Sequence, residues 1–97
     1  IGEESEILEF KLTTGERREA TEAIVAILNK HCKGTLYFGI DDNGYVKGQQ
    51  VSDNTKKDIS RIINEMIDPK IFPSIEILTI EGKQIIKVSF SGHNRPY

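Results

Sequence analysis

Apolar positions recur along the chain with two periods, and the switches between them mark out its elements. Leu8, Phe10 and Leu12 alternate with Ile7, Glu9 and Lys11, which predicts a first strand over 7–12. From Glu16 to His31 the spacing becomes helical, with Ala20, Ala23, Ile24, Ile27 and Leu28 on one stripe. Thr13 and Glu16 fit a capping box at its start, and Gly34 is the predicted C-cap. Thr35–Ile40 is β-branched and aromatic, as a strand buried on both faces would be. Asn43-Gly44 is the favoured pair for a two-residue hairpin, so Tyr45–Lys47 is predicted to return as a short third strand. Ile59, Ile62, Ile63 and Met66 form the stripe of a second helix over 55–67, with Ser52, Asp53 and Asn54 as N-cap candidates and Asp68-Pro69 as its stop. Ile75–Ile80 and Lys83–Phe90 flank a Glu81-Gly82 turn and form an antiparallel hairpin. In the second of these strands Ile86, Val88 and Phe90 face one way, and Ile85, Lys87 and Ser89 the other.

The predicted order is β-α-β-β-α-β-β. Two helices cannot cover both faces of such a sheet, so the expected class is α+β: a two-layer sandwich with a mixed sheet, one face covered and the other partly exposed. At 97 residues the chain makes a single domain spanning 1–97, and no boundary or repeat divides it. It opens on Ile1 rather than Met, so the expectation is the N-terminal part of a longer protein with further domains. The exposed face or a sheet edge offers a route to a homodimer. The lone Cys32 excludes an internal disulfide, and no apolar run approaches the ~20 residues of a membrane span, so a cytoplasmic location is expected.

The net charge of −2 excludes a diffusely basic domain, so any attraction to nucleic acid has to come from a local patch. Lys11, Lys30, Lys33, Lys47 and Arg95, with Tyr97, lie at strand and helix ends that a compact topology could gather. Such cations bind phosphates without reading sequence, and ordinary surface charge is the competing explanation. Glu4 and Glu9 flank the first strand, and Asp41 and Asp42 close the central one. If those strands are neighbours, the carboxylates could converge and hold Mg²⁺ or Mn²⁺. Asp42 beside Asn43-Gly44 is equally ordinary turn chemistry. No Walker A pattern, GxGxxG or zinc-ligand spacing is present, so nothing here supports an ATPase, a helicase motor or a dinucleotide site. His31 next to Cys32 fits a helix-ending partner of the dipole better than a nucleophile pair.

ESEILEFK (Glu4 to Lys11), AILNKHCKGTLYFGIDDNG (Ala26 to Gly44), VKGQQV (Val46 to Val51) and the closing RPY (Arg95 to Tyr97) together resemble the Schlafen/AlbA-type DNA-binding domain, once described as a divergent AAA family. The NKHxxGxLYFG stretch is similar to bacterial versions, often labelled transcriptional regulators or RecG-like, helicase-related proteins. Many members carry Asn-Thr-x-Gly-Gly where this chain has the longer Asn29-Lys30-His31-Cys32-Lys33-Gly34. The resemblance implies an Alba-like α+β fold and a nucleic-acid-binding module, with DNA or RNA as partner and no cofactor. Vertebrate Schlafen relatives, similar at E-x4-EFK and at the strand-ending Asp, imply the alternative of a metal-dependent endoribonuclease. That reading would use Glu4, Glu9 and Asp41 with Mg²⁺ or Mn²⁺. A protein-interaction domain is the third reading.

Overall fold

The fold comes from a computed structural model, which describes residues 7–93 and 96–97. Strand β1 (Leu8–Lys11) leads through a 3-10 turn (Thr14–Glu16) into helix α1 (Arg17–His31), and strand β2 (Lys33–Phe38) follows at once. Helix α2 (Thr55–Met66) and the hairpin of β3 (Ser74–Ile80) and β4 (Lys83–Ser91) complete the chain. The sheet order is β1-β2-β4-β3, with β1 parallel to β2 and the other pairs antiparallel. A parallel β1–β2 pair needs a crossover, and α1 supplies it. This is the expected two-layer α+β build with a mixed sheet and two helices. Among the described residues, no helix is long and apolar enough to cross a membrane.

The pleat gives each face of the sheet its own core. Leu36, Phe38, Ile86, Val88 and Phe90 point to the helix layer and meet Ala20, Ile24, Ile27 and Leu28 of α1 and Ile59 and Ile63 of α2. The other face is half covered. At one end Phe10, Ile40 and Ile85 are fully buried, with Tyr37, Val46, Leu78 and Ile80 packed around them. What closes this end is the chain after β2: Ile40 bridges to Val46, so the predicted third strand is reduced to a single bridge.

Four local features depart from the expected chemistry. The hairpin after Ile40 has a three-residue loop, Asp42-Asn43-Gly44, rather than two. The Asp41 N–H donates to the Tyr45 carbonyl at 3.0 Å, the Gly44 N–H donates to the Asp41 carbonyl at 2.9 Å, and Gly44 has φ 87. A type I turn closed by a left-handed glycine suits strands with the usual twist. Second, Thr13 caps through the Gly15 N–H at 3.1 Å, but Glu16 reaches back to the Leu12 N–H at 2.9 Å, so the reciprocal box is shifted by a residue. Third, the left-handed residue ending α1 is Cys32, with φ 69, not Gly34. Cys32 is held on both sides, since its N–H donates to the Leu28 carbonyl at 3.1 Å and its carbonyl accepts from the Gly92 N–H at 2.8 Å. Gly34 already belongs to β2. Fourth, Thr21 lies buried on the α1 stripe, where its hydroxyl donates to the Arg17 carbonyl at 2.8 Å, while Ala23 is only half-buried.

Candidate nucleic-acid interface

The parallel pairing of β1 and β2 decides where the candidate residues lie. Leu8 pairs with Thr35 and Lys11 with Phe38, so the two strands end together, and β2 begins two residues before β1. The ends are the length of β2 apart, ~17 Å at the strand rise. Lys30, in the last turn of α1, and Lys33, first in β2, stand together at the starting end, and both are exposed. Tyr97 is anchored at the same end: its N–H donates to Asn29 Oδ1 at 2.8 Å, and its carbonyl accepts from Asn29 Nδ2 at 3.5 Å. Lys11, level with Phe38, and Lys47, whose N–H donates to the Gly39 carbonyl, are at the far end. The cations are therefore divided between two sites rather than gathered into one. Arg95 lies outside the described residues.

The far end is where the carboxylates are. Lys11 Nζ lies 3.4 Å from Glu9 Oε2, and Lys47 Nζ lies 3.8 Å from Asp41 Oδ2. Lys11, Leu12, Glu16, Asp41 and Asp42 border a cleft of about 230 Å³ there. Asp41 has a structural duty, because its Oδ1 accepts from the Asn43 N–H at 2.9 Å and the Tyr45 N–H at 3.0 Å, tying the loop to itself. Glu9 pairs with Leu36 and so points to the helix side of the edge strand, apart from the lining of that cleft. Among the described residues no group of three or more His, Cys, Asp or Glu side chains is arranged to hold a metal ion. Glu4, the remaining member of the expected acidic set, lies outside those residues.

The starting end has different chemistry. On the open face, Thr35 of β2 pairs with Ser89 of β4, and Ser89 pairs with Ser74 of β3. These short hydroxyl side chains leave a groove of about 550 Å³, which Lys33 borders and Phe72 walls. The sequence pattern predicts only a bend around Phe72. The one signal there is an aromatic residue set between Ile71 and Pro73.

Fold and surface together define a small α+β domain with a cation- and hydroxyl-bearing end and an end where carboxylates and lysines are paired. The chain belongs to the Schlafen, AlbA_2 family, whose model matches residues 4–97. No curated protein matches the chain. Among solved structures it is similar to the N-terminal domain of a RecG-related protein from Nitrosomonas europaea, with a TM-score of 0.76 at 19% identity. That match covers 91% of this chain but only 64% of the other, so the likeness is one of fold and spans less than the neighbour's length.

Proposed function

We propose that this chain is a nucleic-acid-binding module, with DNA as its first partner, from a cytoplasmic regulator or helicase-related protein of bacterial type. Family membership over residues 4–97 supports the reading, as does a fold neighbour whose name is that of an ATP-dependent DNA helicase RecG-related protein. The observation that carries it is the charge division along the sheet. Lys30 and Lys33 are exposed at one end, while Glu16, Asp41 and Asp42 border the cleft at the other. At the second end carboxylates offset Lys11 and Lys47, whereas a polyanion is drawn to the first, so a domain of net charge −2 can still present a phosphate-binding surface.

The test is a titration against a short DNA duplex and a structured RNA at two salt concentrations, with and without Mn²⁺. Wild type binds more weakly at the higher salt. The double variant Lys30→Ala with Lys33→Ala binds more weakly still, and the slope of log K against log salt falls by about 2, roughly one for each phosphate no longer neutralised. Lys11→Ala with Lys47→Ala, whose charges are matched by Glu9 and Asp41, changes the slope little. Unchanged binding by the first variant removes that end from the argument. Absence of salt-dependent binding by wild type favours a protein-interaction domain. Mn²⁺-dependent RNA cleavage abolished by Glu9→Ala would instead favour the metal-dependent ribonuclease.

A further inference from the structure

The groove at the Lys33 end combines features that ordinary surface chemistry does not require together. Its floor is the hydroxyl row of Thr35, Ser89 and Ser74, which runs across neighbouring strands and leaves depth because the side chains are short. Its wall is Phe72, a large apolar side chain that is 90% exposed. A second cleft of about 510 Å³ borders Phe72 on its other side and carries Lys70 and His93. Among the described residues, no Asp or Glu side chain lines either cleft.

The backbone at Phe72 is held on both sides. The preceding Ile71 is 5% exposed and plugs the main core, and the following Pro73 has its φ fixed by its ring before β3 begins at Ser74. With the backbone fixed by two anchored neighbours, a ligand has only the ring's own rotamers left to restrain. A partner that covers it gains apolar burial at low entropic cost. The chemistry around the ring narrows what that partner is. Lys33 and the hydroxyl donors favour an anion, none of the described residues lining the groove is a carboxylate, and the ring favours a flat π surface. A nucleotide carries both groups. Within a duplex the base faces are stacked on each other, so only an unpaired base can reach the ring.

We propose that this groove takes a single-stranded nucleic-acid segment, with one base stacked on Phe72 and the adjoining phosphates on Lys33 and the Thr35, Ser74 and Ser89 hydroxyls. The proposal rests on the nucleic-acid reading above and names the part of the surface and the form of nucleic acid.

The chain contains no tryptophan, so Phe72→Trp installs a single indole reporter at the ring. An oligothymidylate quenches its fluorescence on binding, and the same strand annealed to oligoadenylate does not. Phe72→Ala lowers affinity for the single strand by roughly 5- to 150-fold, the range for one stacked base, and changes duplex affinity less than twofold. Its thermal midpoint stays at the wild-type value, since an exposed ring carries no core packing. Ser74→Glu, at an exposed edge-strand position, weakens single-strand binding by placing a like charge beside the phosphates. If Phe72→Ala binds the single strand like wild type while Lys30→Ala with Lys33→Ala does not, no base stacks on Phe72, the proposal is overturned and the nucleic-acid reading survives without it. If wild type binds neither form, both readings fall. If Phe72→Ala only converts a self-associated wild type to monomer, the ring belongs to an interface between copies and the proposal is overturned.

Discussion

Gly34→Ala tests the packing argument most directly. Gly34 lies in β2, under α1 and beside β1, and what it supplies is space rather than unusual backbone geometry. A Cβ built there would lie 2.7 Å from Ile27 Cγ2, 2.9 Å from Phe90 Cζ and 3.0 Å from the Ile7 carbonyl oxygen. Carbon atoms prefer about 3.5–4.0 Å, so two of these approaches are short by close to an ångström. Neither partner can swing into solvent, because Ile27 is 8% and Phe90 5% exposed. The Ile7 carbonyl cannot retreat freely either, since it accepts from the Thr35 N–H at 2.9 Å and so ties β1 to β2. Relief must come from lifting α1 off the sheet or opening the β1–β2 pair. Overpacking of this kind costs about 1–3 kcal/mol, and weakening one backbone hydrogen bond adds about 1 kcal/mol. The expected loss is ~2–4 kcal/mol, a large part of the 5–15 kcal/mol that usually holds a domain together. For a domain of this size that lowers Tm by roughly 10–25 °C. Urea unfolding followed by far-UV circular dichroism measures it. Gly82→Ala is the control: no heavy atom lies within 4 Å of its added Cβ, but its φ is +77, so it loses only the ~1–2 kcal/mol of a left-handed alanine. A Gly34→Ala protein within ~0.5 kcal/mol of wild type, below the smallest expected overpacking cost, would refute the reasoning.

Further outcomes follow from individual interactions. Glu81 holds φ 52 at the tip of the β3–β4 hairpin, so Glu81→Asn should raise stability by about 0.5–1 kcal/mol, read as a higher urea midpoint with unchanged m. Asp41→Ala removes the acceptor for two backbone N–H groups and should cost about 1–2 kcal/mol, with most of it restored in Asp41→Asn, whose amide oxygen still accepts. Any loss of a nuclease signal in Asp41→Ala therefore has to be read beside its melting curve. Ile85→Ala should cost about 2–5 kcal/mol in the same unfolding assay, because that side chain is fully buried on the face away from the helices. A smaller loss, like that of a surface position, would mean that the Ile40–Val46 bridge does not close that end.

The elements were legible in the sequence because their signals are local. The Ile24, Ile27, Leu28 stripe and the Ile86, Val88, Phe90 alternation follow from where successive side chains point on a helix or strand, and each reappears in the main core. The α+β class followed from their order. Capping and turn details were less legible, because several nearby donors and acceptors compete there and, at the end of α1, a distant strand takes part. Cys32 takes the left-handed position that a glycine would be expected to hold because the Gly92 N–H from the end of β4 grips its carbonyl.

Periodicity, the number and kind of layers, and the set of residues able to carry charge or coordinate a metal are all written into the order of the amino acids. How those residues are grouped is not, and had to wait for the assembled sheet. The parallel register of β1 and β2 sends Lys11 and Lys47 to one end and leaves Lys30 and Lys33 at the other, and the pleat turns Glu9 toward the helix side. Phe72 became a feature only when its neighbours were in place, with Ile71 in the core and a row of hydroxyls beside it. The physical reason is the same in each case. Periodicity is a property of adjacent residues, whereas exposure and proximity are set by residues that meet only when the sheet has assembled.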